Sequence, residues 1–295
     1  MSLQYNVTED KKLRVIIDTD AACEADDPFA IAHALMSKKL EVKAILAEQF
    51  GEPGSTKRSY DEIMTVLEAM ELSVPVYMGE EGSLLQIPRD ALSPAAECLI
   101  DEALKDDVKP LFVLCLGAIT NVASAIRKCP EITKRMIVVW IGGHNPDNSV
   151  VEHREFNCGN DVTAANLVVS SGVEFWQIPN NVYGTMHIGL AEIQTKVYPY
   201  GKIGKHLFEN MVTFNESERA DWTAGESWSL GDSPAVGVAL EPNCGSFVYR
   251  EAPIFNEDTS YRFEKGRPMI RVYTSINSRF ILEDFFAKLQ LLYAT

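Results

Sequence analysis

The chain has 295 residues, 46% hydrophobic and 23% charged, an ordinary globular composition with enough apolar material for one large core. Twenty-seven basic residues against 42 acidic ones leave a formal charge of −15, which repels phosphate backbones and anionic membranes and argues against both as partners. No apolar run approaches the ~18 residues of a membrane helix, residues 1–13 carry no apolar signal core, and the six cysteines form no CxxC pair, so we expect free thiols in a cytoplasmic protein.

The pattern then alternates. Apolar runs at Leu13–Ile17, Val42–Ala47, Pro75–Met78, Leu111–Leu116, Met136–Ile141 and Val173–Ile178 read as strands. Helical stretches follow them at Asp27–Ser37, Tyr60–Met70, Pro94–Leu104, Asn121–Lys128 and Thr163–Ser170. Strand–helix alternation at this spacing predicts an α/β fold with a mostly parallel central sheet flanked by helices. Ala191–Leu240 reads as largely helical, Ser246–Ser275 as strands with turns, and Arg279–Leu292 as a closing helix. The whole of residues 1–295 is therefore expected to be one domain with a helical and β-hairpin elaboration in its C-terminal third. In such sheets ligands sit beyond the carboxyl ends of the strands, so the residues after each apolar run are the ones to inspect.

The first such place reads Asp18-Thr19-Asp20-Ala21-Ala22-Cys23-Glu24-Ala25-Asp26-Asp27, five carboxylates in ten residues. A solvated loop with Asp26 or Asp27 capping a helix is the plain reading. Two aspartates at the end of a buried strand are costly, however, unless something positive holds them. A hard divalent cation does so, and an all-oxygen set suits calcium or magnesium.

The next strand ends at Leu116-Gly117-Ala118-Ile119-Thr120-Asn121, where glycine permits a sharp turn that can point the Leu116 carbonyl into the site. Gly142-Gly143-His144 follows the strand after that, then Glu155-Phe156-Asn157 and Asn160-Asp161. Glu155 and Asn157 face the same side on an extended segment, which suits a clamp on vicinal hydroxyls. Late in the chain, Asp232 of Leu230-Gly231-Asp232-Ser233-Pro234-Ala235 is placed to cap a helix that starts near Pro234.

Taken in this order, the DTD…DD, LGxxTN, GG, EFN…D and D-x-P-A elements resemble the nucleoside hydrolase family of the inosine-uridine-preferring type. The resemblance covers most of residues 13 to 240. It implies calcium-dependent hydrolysis of the N-glycosidic bond of a small riboside by an enzyme that commonly forms dimers or tetramers. It also implies a Ca2+ ion held by Asp20, Asp27, the Leu116 carbonyl and Asp232, with Asp20 as general base, Asp26, Glu155 and Asn157 on the ribose hydroxyls, and Asp18 supporting from behind. The chemistry is consistent with the composition: breaking an N-ribosidic bond builds positive charge on the sugar, and a carboxylate-rich site stabilises it.

Three departures mark a divergent member. Five residues, Ala21 to Ala25, separate DTD from DD instead of three. The usual asparagine-containing turn after the second strand is Glu48-Gln49-Phe50-Gly51-Glu52, and Gly231 stands where a histidine often precedes the late aspartate. His144, His153 and His187 are the remaining candidates to protonate a leaving group; His33 reads as structural and His206 as solvated. Trp222 or Trp228 would offer a stacking face or pack in the core.

Other readings are weaker. A haloacid dehalogenase-type phosphohydrolase would use Asp18 as nucleophile and Asp20 as acid/base, but has Ala22 where Thr or Val belongs and lacks the later acidic element. A serine esterase at Ser233 lacks a preceding apolar strand. A sugar-binding protein that kept the fold and lost catalysis would bind without releasing a base.

Overall fold

The computed structural model of the chain describes residues 2–147 and 153–294. Its elements in chain order begin with β1 (Leu13–Thr19), α1 (Asp27–Leu35), β2 (Leu40–Ala47), α2 (Ser55–Met70), β3 (Val76–Met78), α3 (Pro94–Ala103), β4 (Leu111–Cys115), α4 (Thr120–Lys128) and β5 (Met136–Ile141). Then come α5 (Phe156–Asn160), α6 (Val162–Ser170), β6 (Glu174–Ile178), α7 (Asn180–Tyr183), β7 (His187–Gly189), α8 (Leu190–Lys196) and α9 (Gly201–Asn215). The last are β8 (Ser227–Ser229), α10 (Ser233–Leu240), β9 (Gly245–Glu251), β10 (Ile254–Phe255), β11 (Tyr261–Arg262), β12 (Met269–Ile276) and α11 (Ser278–Tyr293).

Eight strands form one sheet in the order β3-β2-β1-β4-β5-β6-β12-β9. All neighbours run parallel except β9, which pairs antiparallel with β12 at the edge. The mostly parallel sheet expected from the alternation is present. Its C-terminal part goes beyond an elaboration, because β12 lies parallel beside β6 and extends the main sheet. Only β10 and β11 form a separate short hairpin there. Ala191–Leu240 is three helices interrupted by the short strand β8, which pairs with β7.

The strands read as unbroken apolar runs because both faces of the sheet are covered. Along β1, Val15 and Ile17 pack on one face with α1, α2 and α10, while Ile16 packs on the other with α3, α4 and α6. All three are fully buried. Each such side chain contributes roughly 1.5–3 kcal/mol relative to an exposed one.

Strand order reverses beside β1, with β2 on one flank and β4 on the other. This switch point opens a crevice at the carboxyl ends of β1 and β4. The register is fixed there by Leu116 N–H donating to the Asp18 carbonyl at 2.8 Å and Glu48 N–H donating to the Thr19 carbonyl at 2.8 Å.

Helices α1 and α10 bring their N-termini to the same crevice, each with proline in its first turn, where the missing N–H costs nothing. The far end of α1 is fixed by buried polar contacts to α11. His33 Nε2 lies 2.8 Å from Asp284 Oδ2, and Lys288 bonds Asp284 and, at 2.8 Å, Ser37 Oγ. His33 is thus structural, as expected. His206 departs from expectation: it is half-buried against Glu62 at 2.7 Å, which raises its pKa, rather than free in solvent.

Candidate active site

An open cleft lies at the switch point. Five carboxylates line it: Asp20, Glu24, Asp26, Asp27 and Asp232. Phe156 and Tyr183 add aromatic walls, and Leu116, Asn157 and Gly231 also line it. Asp18 and Glu155 lie outside the lining and support it.

Asp26 and Asp232 occupy the N-cap positions of α1 and α10, yet neither carboxylate bonds its own helix. The physical reason is local. Both caps are in the right-handed helical region (φ −96°, ψ −30° and φ −85°, ψ −23°), not the extended region from which a cap side chain reaches the second or third amide. The capping role read from sequence for these two residues therefore fails. Their carboxylates meet instead: ligand oxygens of Asp26, Asp27 and Asp232 lie within 4.8 Å of one another, and Asp26 Oδ2 accepts from Asp232 N–H at 3.3 Å. Asp27 is steadied by the Thr19 hydroxyl.

Asp20 stands beside this trio, 3% exposed, with its carboxylate pressed over Gly117. A methyl group on Gly117 would fall 2.2 Å from Asp20 Oδ1, so the close approach of the loop after β1 to the turn after β4 requires glycine. The turn is held from the other side by Trp140, whose indole N–H donates to the Gly117 carbonyl at 3.0 Å. Gly117→Ala is expected to cost about 1–3 kcal/mol of stability by overpacking and to depress turnover by displacing Asp20. Thermal denaturation and a rate assay check this; unchanged values in both would show that Asp20 moves aside freely.

Electrostatics point to a missing positive charge. Burial, then Asp27, Glu24 and Asp26, push Asp20 well above the usual carboxylate range. Burial, then Asp26, Asp27 and Asp20, do the same to Asp232, and burial followed by Glu24 and Asp27 to Asp26. Among the described residues, no Lys or Arg pairs with any of the four aspartates. The all-oxygen donor set therefore fits a hard divalent cation, which would remove the mutual repulsion.

Behind the trio, Asp18 is fully buried; its Oδ1 accepts from Asn121 Nδ2 at 2.8 Å, while Oδ2 has no partner among the described residues. Burial raises it to about 7. Asn121 is a hub that sequence reading left without a role. Its backbone N–H donates to Glu48 Oε2 at 2.9 Å, its Nδ2 to the Ala47 carbonyl at 3.2 Å, and its Oδ1 accepts from Glu80 N–H at 2.9 Å. The unusual turn after β2 thus faces inward: Glu48 holds Asn121, and Gln49 Nε2 donates to Thr120 Oγ1 at 3.2 Å.

Glu155 and Asn157 are not on an extended segment. Helix α5 begins at Phe156, and Glu155 caps it in extended backbone conformation, accepting from Cys158 N–H at 2.8 Å. It also accepts from Gly143 N–H at 2.7 Å and from the Tyr183 hydroxyl at 2.8 Å. Asn157 Nδ2 donates to the carbonyls of Leu116 at 2.7 Å and Ile141 at 3.0 Å. A carbonyl has two lone pairs, so this bond still leaves the Leu116 oxygen able to bind an ion.

Tyr183 was not singled out in the sequence. Burial, then Glu155, raises its phenol well above the usual range. A Cβ on Gly231 would lie 3.2 Å from Tyr183 Cδ2, so Tyr183 fills the space beside the glycine. None of His144, His153 and His187 lines the cleft. His144 is buried between Thr259 Oγ1 and Asn180 Nδ2, both at 3.0 Å, His153 stacks edgewise on it, and His187 is exposed on β7. Trp228 is in the core, and Trp222 packs on it half exposed. Ser233, the candidate esterase nucleophile, is buried at the start of α10.

Comparison with known proteins bears on the family and the fold. A family profile described as inosine-uridine preferring nucleoside hydrolase matches residues 15–281. The chain is 24% identical to the pyrimidine-specific ribonucleoside hydrolase RihA of Salmonella typhimurium over 287 residues, 88% of this chain and 89% of that protein. An uncharacterized protein of Schizosaccharomyces pombe is 26% identical over 206 residues, 61% of this chain and 65% of that protein. Among solved structures, a purine-preferring ribonucleoside hydrolase from Gardnerella vaginalis superposes with TM-score 0.79 at 20% identity, over 95% of this chain and 99% of that one. A plant nucleoside hydrolase does so with TM-score 0.79 at 19% identity, over 94% and 98%.

Proposed function

Because the chain belongs to the inosine-uridine preferring nucleoside hydrolase family and is by that membership a ribonucleoside N-glycosidase, we propose that it hydrolyses ribosides with Ca2+ as its cofactor. The observation that carries the ion is the convergence of buried, mutually repelling aspartates at two helix N-termini with no cation among the described residues to pair them. Asp20, Asp27, Asp232 and the Leu116 carbonyl would hold it, with Asp26 within reach of both ion and sugar. Bound there, calcium would orient the attacking water and ease its deprotonation.

The side chains divide the remaining work. Asp20 accepts a proton from the water as it attacks the anomeric carbon. Asp26 and Asn157 hold ribose hydroxyls, and Glu155 acts on the sugar subsite through the Tyr183 hydroxyl and through the start of α5. The carboxylates stabilise the positive charge that grows on the sugar as the bond to the base lengthens. Asp18, through Asn121, fixes the end of β1 from behind.

Protein purified without chelator is expected to carry about one calcium per chain and to release free base from a nucleoside. Chelation has a pH-dependent signature. In the metal-free protein desolvation pushes Asp18 up to about 7, and desolvation with the Asp27 charge does the same to Glu24, above the ~4 of an unfolded carboxylate. The folded apo-protein therefore holds more protons than the unfolded chain between those values, and its stability falls as pH rises through them. Chelated protein should melt at a higher temperature at pH 5 than at pH 8, and calcium should restore the loss chiefly at pH 8. A melting temperature indifferent to calcium at pH 8, or stoichiometric zinc, would remove the assignment.

A further inference from the structure

We propose that the substrate class is a riboside whose base carries a fixed positive charge on its glycosidic nitrogen, an N-ribosylpyridinium, held with its ring between Glu24 and Phe156. This rests on the riboside-hydrolase reading above and goes beyond it by naming the leaving group.

The cleft is charged one way. Five carboxylates line it, and among the described lining residues there is no Lys, Arg or His. One divalent cation offsets only two of those charges, so the occupied site still favours a cation.

Glu24 is the carboxylate that the sugar and ion do not account for. It comes from the Ala21–Ala25 loop; Arg219 bonds the neighbouring Cys23 carbonyl at 3.0 Å and offsets the Glu24 charge only from a distance, without bonding its carboxylate. Phe156 lines the same cleft and is 47% exposed, which leaves a π-face open to a cation. At the other wall Gly231 offers no side chain, and the proton of Tyr183 is directed to Glu155 Oε1.

A cationic base suits a site of this kind because it needs no proton donor. Water oxygen bonds the anomeric carbon, the carbon–nitrogen bond breaks, and its electron pair neutralises the ring nitrogen. The base leaves as a neutral pyridine, and the water's proton passes through Asp20 to solvent. Products are ribose, neutral base and one proton.

The test compares nicotinamide riboside, inosine and 4-nitrophenyl riboside on the calcium-loaded enzyme. The expected kcat/KM for nicotinamide riboside exceeds that for inosine by ~100-fold or more, the usual worth of a proton donor the cation does without. Glu24→Gln should lower the preference for nicotinamide riboside over the nitrophenyl compound by about ten-fold, since one facing charge is lost, with a melting curve as the check on folding. Cleavage of the nitrophenyl compound with nicotinamide riboside no better than inosine overturns this proposal alone. So does a Glu24→Gln enzyme that loses inosine turnover but keeps nicotinamide riboside turnover, which would make Glu24 the proton donor. Failure to cleave any of the three overturns the riboside-hydrolase reading itself.

Discussion

Asp20→Asn is expected to lower kcat by at least ~100-fold, because general-base assistance is worth that or more. The substitution keeps size and shape, so the carboxamide still fits over Gly117 where an added methyl would lie 2.2 Å from the present oxygen. The turn that positions residue 20 is made by its backbone, with Cys23 N–H donating to the Asp20 carbonyl at 2.7 Å, and does not depend on the side chain. On the proposed roles, what is lost is a proton acceptor and one charge of the calcium set, so bound calcium is measured beside turnover. Asp20 also repels Asp232 and is itself repelled by Asp27, Glu24 and Asp26. Removing one charge from an unneutralised cluster relieves that repulsion. The chelated variant should therefore melt no lower than chelated wild type at pH 8, while turnover with calcium collapses. Loss of activity without loss of apo stability separates a chemical role from a structural one. Near-normal kcat with calcium still bound would mean that another group accepts the proton.

The parts of this fold that sequence made legible are those decided by local burial. Strands β1, β4 and β5 are covered on both faces, so they appear as apolar runs whatever surrounds them. The acidic cluster was legible for the opposite reason, since charges at the end of a buried strand need an external explanation. What escaped was decided by tertiary contact. Helix α5 is only five residues, FNCGN, with two asparagines and a glycine, and no propensity argument finds it. It exists because Glu155 caps it and Asn157 is held by two strand-end carbonyls. Tyr183 has no neighbouring charge or motif in sequence. Its place depends on the end of α7 meeting Gly231, with Tyr183 and Gly231 48 positions apart in the chain. The N-cap reading of Asp26 and Asp232 was right about position and wrong about bonding, because both caps have helical dihedrals that residue type alone does not reveal.

A riboside with a nitrophenolate leaving group should be cleaved with a kcat above ~100 times that of inosine or uridine. A departing purine or pyrimidine is a poor leaving group unless a proton reaches it. Nitrophenolate is stable as the anion and needs little help. Where the family resemblance leads one to expect an imidazole, this chain has Gly231, and the space beside it is taken by the ring of Tyr183. The three histidines that sequence offered as substitutes are not at the cleft: His144 is locked between Thr259 and Asn180, His153 packs on it, and His187 points from β7. Tyr183 already donates its proton to Glu155 at 2.8 Å, and burial and the Glu155 charge both raise its pKa. Its proton is therefore held more tightly than that of a free phenol, the reverse of what an acid catalyst needs. Tyr183→Phe should leave the ratio between the two substrate types unchanged, while an acid at this position would make that substitution slow the nucleosides alone. Comparable kcat values for the nitrophenyl riboside and a natural nucleoside, with chemistry shown to be rate-limiting, would place a proton donor in the cleft, and replacement of the lining residues Glu24 and Tyr183 in turn would identify it.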